Sequence, residues 1–187
     1  MISEYWFVLI GVAAALVLAV ILAAMVWRRR GADLGAMLRA VAIDFAHDVI
    51  VPNGMGGHIQ IEYLLLTAHG VIVVDLKHFE GTIFGSDRMD EWTVMNGHRR
   101  FTFPNPQNTL YDRVAAIRRL VRDISVEGFV VFPPGADFSK GRPREVMLAD
   151  EFAEQYKKPD RAELEQIKEH LAPHWARIRE SLQSVGP

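Results

Sequence analysis

The chain has 187 residues, a formal net charge of −2, half of its residues hydrophobic (50%) and no cysteine. These numbers exclude a disulfide framework and Cys-based zinc sites, and they argue against a bulk nucleic-acid binder held by net charge alone. Beyond residue 30 the chain is long enough for one domain with its own core.

The first element is an apolar run from Tyr5 to Trp27, without charge or proline, closed by Arg28, Arg29 and Arg30. About 20 apolar residues cross a bilayer as a helix, so the run is long enough to span it. Tyr5 and Trp27 stand where interfacial aromatic belts lie, and the arginines predict a cytosolic flank. A cleaved signal peptide would carry its charges before a shorter apolar core. Here the one charged side chain before the run is Glu4. The expectation is a single-pass anchor in the cell membrane (1–30), with the following domain in the cytoplasm.

The spacing of Leu34, Met37, Leu38, Val41 and Phe45 predicts an amphipathic helix over Asp33–Phe45. Asp48–Pro52 reads as a short strand. His58–Thr67 and Val71–Lys77 read as a hairpin turned at His69-Gly70. Three short apolar patches, Thr82–Phe84, Trp92–Met95 and Phe101–Phe103, predict further antiparallel strands, stopped by Pro104-Asn-Pro106. A helix capped by Asn108 or Thr109 is expected to run to about Asp123. Gly128–Phe132 and Glu145–Leu148 read as strands, Asp150–Tyr156 as a short helix, and Asp160–Gln183 as a last helix interrupted near Pro173. This order predicts an α/β (α+β) domain with a central mixed β-sheet flanked by helices. Residues 31–135 would form its core, and 136–187 would complete it.

Ionisable groups on the central hairpin carry the chemistry. Glu62 lies in its first strand, with Asp75 and Lys77 near the end of the second. Residues two apart on a strand share a face, so Asp75 and Lys77 project together while Leu76 points away. A carboxylate inside an otherwise apolar strand is costly to bury unless paired or coordinated. Two acids beside a lysine suit a hard divalent cation and a polarised phosphate. The alternative is a surface ion pair, which contributes little, with Glu62 guarding a sheet edge. Neither His58, His69, His78 and His98 nor the Gly54–Gly57 turn has the spacing of a metal site or a phosphate loop. Arg113, Arg118 and Arg122 make the helix after Pro106 basic. It is either a solvated face or a phosphate-facing one.

The surrounding motifs resemble the nuclease-related domain family. They are Gln60-Ile-Glu62-Tyr63, Gly70-Val-Ile-Val-Val-Asp75-Leu-Lys77, Gly81-Thr-Ile-Phe-Gly85, Trp92, and Phe103-Pro-Asn-Pro106. The resemblance covers roughly residues 31–132. The resemblance implies a restriction-endonuclease-like fold and Mg²⁺- or Mn²⁺-dependent hydrolysis of nucleic-acid phosphodiesters. Glu62 and Asp75 then stand at the metal-binding acids, Lys77 at the catalytic lysine, and the Leu76 carbonyl completes the metal shell. Gln60 and Gln107 stand near the site as supporting groups. Three positions depart from the family pattern: Glu62 replaces Asp, Asp75 replaces Glu, and Tyr63 replaces His. The family's first-helix Gly-Glu has no clear match. These departures leave a second reading, a weakened or inactive membrane-anchored module that binds nucleic acid or protein on the same fold.

Overall fold

In the computed structural model every residue of the strand Gly70–Leu76 is buried. A strand covered on both faces demands helices on both sides of its sheet, and that is what surrounds it. The structure describes Val17 and residues 34–184. The chain divides into two units, Met1–Ala36 and Met37–Pro187, and the elements from Asp44 onward belong to the second. The apolar run Tyr5–Trp27 lies outside the described residues apart from Val17. Among the described residues no helix is long and apolar enough to cross a membrane.

A helix ending at Val41 (α1) leads into β1 (Asp44–Pro52). It stops earlier than the expected Phe45, because the Ile43 N–H leaves the helix for the Leu66 carbonyl at 2.7 Å. Strands β2 (His58–Thr67) and β3 (Gly70–Leu76) follow, then β4 (Gly81–Phe84), β5 (Glu91–Asn96) and β6 (Arg99–Pro104). Helix α2 (Pro106–Leu120) precedes β7 (Val126–Phe132), β8 (Ala136–Asp137) and β9 (Val146–Leu148). Helices α3 (Ala149–Gln155) and α4 (Arg161–Ser181) and the short β10 (Gln183–Ser184) complete the order.

The main sheet runs β10-β1-β2-β3-β7-β9. Strands β10 to β3 pair antiparallel, whereas β3–β7 and β7–β9 are parallel, so the sheet is mixed as expected. A second sheet runs β6-β5-β4-β8; its strands β4–β6 are inserted between β3 and α2, and β8 joins it from beyond β7. The two-residue strands β8 and β10 carry no sequence signal of their own.

Helix α2 starts earlier than its sequence suggested. Asn105, not Asn108 or Thr109, is the cap: its side chain accepts from the Gln107 N–H at 2.9 Å, and Pro106 fills the first helical position. Helix α4 runs unbroken through Pro173, where an interruption was expected. Leu171, Trp175 and Ile178 around that proline are buried in the core, which offsets the missing hydrogen bond.

The sheet separates two apolar layers. Leu64, Val73, Leu110, Val114, Ile117, Val130 and the buried α4 residues belong to one cluster. Leu65 and Ile72, cross-strand partners, are buried outside it on the other face. There Phe129 meets Phe152 and Tyr156 at the end of α3, with ring centroids 6.1 and 5.8 Å away.

One irregularity positions the site. Ala46 and Val49 share the core cluster although three residues apart, and so do their cross-strand partners Leu64 and Ile61. Strict alternation would separate them. The phase changes at Asp48, whose φ of 48° is in the left-handed region, and at Glu62 opposite it.

Candidate active site

Glu62 and Asp75 meet where two paired strands part. The last β2–β3 backbone pair is Tyr63 with Val74. One residue further, a carboxylate replaces the backbone acceptor: the Leu76 N–H donates to Glu62 Oε2 at 2.9 Å. Strand β3 remains tied on its other side, where the Lys77 N–H donates to the Val131 carbonyl at 2.9 Å. The site therefore lies at the carboxyl ends of the parallel strands β3 and β7, the usual position for ligands in such sheets.

Both oxygens of Asp75 face cations. Lys77 Nζ lies 2.9 Å from Oδ1, and Arg113 Nη1 lies 3.1 Å from Oδ2. The Asp75 side chain is only 8% exposed, Arg113 17% and Lys77 23%, so this cluster is largely withdrawn from water. Arg113 comes from α2 and is doubly anchored, its Nε donating to the Gln60 carbonyl at 2.8 Å. Burial raises the Glu62 carboxyl to about 6; the Leu76 N–H opposes this, and Asp75 adds to it through charge and a hydrogen bond.

The expected site residues separate into those gathered here and those placed elsewhere. Glu62, Asp75, Lys77 and buried Leu76 come together. Gln60 joins through its backbone, while its side chain is exposed. Gln107 is buried in another cluster, donating to Asp87 at 3.0 Å and to the Arg144 carbonyl at 2.8 Å. Arg118 is engaged by the Val126 carbonyl at the start of β7, with Nη2 at 2.7 Å. Arg122 and Arg118 line a shallow cavity of about 450 Å³ at that same end, away from Asp75. The contact of Arg113 with Asp75 has no counterpart in sequence spacing. It depends on α2 packing against β7, where a Cβ added at Gly128 would lie 2.4 Å from Val114 Cγ2.

Among the described residues no group of three or more His, Cys, Asp or Glu side chains is placed to share a metal ion. The donor chemistry still fits Mg²⁺. Such ions are bound through one or two carboxylates, with water and substrate phosphate supplying the rest. Glu62 and Asp75 are two such acids side by side, with Lys77 and Arg113 already facing Asp75.

The sequence profile of the nuclease-related domain matches residues 36–133, just over half of the chain. The chain belongs to the nuclease-related domain family. The nuclease-related domain thus contains Glu62, Asp75, Lys77, Arg113 and Gln107. An uncharacterized protein of Bacillus anthracis is 33% identical over 75 residues, covering 40% of this chain and 35% of that relative. The match spans about a third of the relative's length. No solved structure matches the chain.

Proposed function

We propose that this nuclease-related domain hydrolyses phosphodiester bonds in nucleic acid on a restriction-endonuclease-like scaffold, with Mg²⁺ or Mn²⁺. The observation that carries the reading is the meeting of half-buried Glu62 with buried Asp75, with Lys77 Nζ 2.9 Å from Asp75 Oδ1. Glu62, Asp75 and the Leu76 carbonyl would hold the metal, which when bound supplies Lewis-acid stabilisation of charge on a phosphoryl oxygen. Lys77 presents its ammonium where the attacking water and the developing charge need a donor. Asp75 fixes that ammonium by their shared hydrogen bond. The apolar walls of β3 and β7 restrict water around the pair, which strengthens each charge–charge contact. Residues 5–27 would anchor the domain to the cell membrane, with Arg28–Arg30 on the cytoplasmic side.

One observation favours a second reading, a non-catalytic binding module. Each oxygen of Asp75 is already engaged by a cation of the chain itself. The two readings separate in one experiment. Wild-type full chain in detergent is incubated with labelled DNA and RNA, in Mg²⁺, in Mn²⁺ and in chelator, beside Lys77→Ala. Metal-dependent cleavage lost in Lys77→Ala supports the nuclease. No cleavage of any substrate with either metal would leave the binding module.

A further inference from the structure

We propose that Arg113 is a latch on the acid pair. Its guanidinium holds the Asp75 oxygen that a divalent cation needs, and a substrate phosphate draws it away. The proposal rests on the reading of Glu62 and Asp75 as a cation site acting on phosphodiesters. The geometry points to it in three ways. Arg113 Nη1 holds Oδ2 at 3.1 Å while Lys77 holds Oδ1, so a metal that approaches either Asp75 oxygen competes with a cation already bound there. Arg113, not Lys77, is the group with a second hold outside the acid pair, the Gln60 carbonyl at 2.8 Å from Nε. That planar two-point grip is a property of guanidinium that an ammonium lacks. Finally, its side chain keeps 17% exposure, so it reaches the solvent edge of the site, where a phosphate would arrive. Guanidinium binds phosphate through two parallel hydrogen bonds, which compensate for those lost at Asp75 and Gln60.

The consequence is thermodynamic. A ligand shifts an equilibrium only by its differential affinity for the two states. A metal that must displace Arg113 binds more weakly than one offered a free carboxylate. A phosphate that takes Arg113 raises metal affinity, and by reciprocity the metal raises phosphate affinity. Arg113 thus makes metal loading depend on substrate.

The test is Mn²⁺ binding by titration calorimetry on the full chain in detergent. Wild type, Arg113→Gln and Arg113→Lys are compared with and without a saturating short oligonucleotide whose phosphorothioate linkages resist hydrolysis. Arg113→Gln should bind Mn²⁺ about tenfold more tightly than wild type, within the usual range of site-to-site coupling. Arg113→Lys, which keeps the charge but loses the two-point grip, should also bind more tightly. The oligonucleotide should raise wild-type affinity, and that gain should shrink in Arg113→Gln. Mn²⁺ binding no tighter in Arg113→Gln than in wild type overturns the latch and leaves the metal reading standing. Tightening in Arg113→Gln with Arg113→Lys at wild-type affinity assigns the effect to charge alone, and also overturns it. Absence of Mn²⁺ binding in all three proteins overturns the latch together with the metal reading beneath it.

Discussion

Replacing Asp75 by Asn preserves shape and removes the charge that two cations share. Lys77 and Arg113 would then be left about the same amide, both less than a quarter exposed. Removing one partner of a fully buried ion pair costs about 3–5 kcal/mol, whereas exposed pairs contribute about 0–1 kcal/mol. This cluster lies between those limits, and Glu62 remains nearby as an anion toward which Lys77 can turn. A loss of about 2 kcal/mol follows. For a folded unit of this size, each kcal/mol lowers Tm by about 2–4 °C, so the expected fall is about 4–8 °C. A second observable follows from the same contact. Glu62 is raised to about 6 first by burial, then, against the Leu76 N–H, by the charge and hydrogen bond of Asp75. With Asp75 neutral, the Glu62 midpoint should move down toward the ordinary carboxyl range. Thermal melts at pH 7 and a carboxyl NMR titration of the metal-free protein read both effects. An unchanged melt together with an unchanged Glu62 titration would refute the described coupling of Asp75 to its three neighbours.

Three further outcomes are expected. Because Glu62 is raised from 4.5 to about 6, it contributes stability that is fully present below pH 4.5 and lost as pH rises through 6. Discounted for partial exposure, that is about 1 kcal/mol. Glu62→Gln should flatten the fall in denaturation midpoint between those pH values, and identical pH profiles would count against the raised pKa. Gly128→Ala would bring a Cβ to 2.4 Å from Val114 Cγ2 and 3.1 Å from Leu110 Cδ1. Overpacking of this kind costs about 1–3 kcal/mol, so the denaturant midpoint should fall, and an unaltered one would contradict the α2–β7 packing. Full-length protein should sediment with membranes and be released by detergent rather than by high salt, as a hydrophobic anchor requires. Release by salt alone would point to peripheral attachment.

The strands were legible because their chemistry is local. Alternation and β-branched runs mark β2 and β3 within a residue or so of their ends, and Asn-Pro marks the stop after β6. Misjudged boundaries fall where a distant partner decides. The Leu66 carbonyl ends α1 by capturing Ile43, and the core around Trp175 carries α4 through Pro173. The acid pair was legible through the spacing between Glu62 and Asp75, which a hairpin converts into proximity. Its surroundings were not. The phase change at Asp48 and Glu62 breaks the alternation that pattern reading assumes, and Arg113 reaches Asp75 only because α2 returns over β7.

That distinction bears on the function. Hairpin register brings two carboxylates together whatever they do next, since residues facing each other across a hairpin share a face. Proximity of the acids alone therefore does not separate a metal site from a structural ion cluster. The separating feature is the balance of charge around them. Two acids with Lys77 and Arg113 form a neutral set when both acids are ionised, which is the composition of a stable buried cluster. A divalent cation added to that set brings an excess of two positive charges in a largely dry place. Either a proton or a side-chain cation must leave, or anions must arrive with it. Lys77 is held by Asp75 alone among the contacts described, and Arg113 by Asp75 and the Gln60 carbonyl. A phosphodiester brings negative charge and suits a guanidinium, so substrate and metal together restore the balance that metal alone upsets. On this accounting, a metal affinity that is weak alone and markedly stronger with nucleic acid is what a working nuclease site of this composition requires.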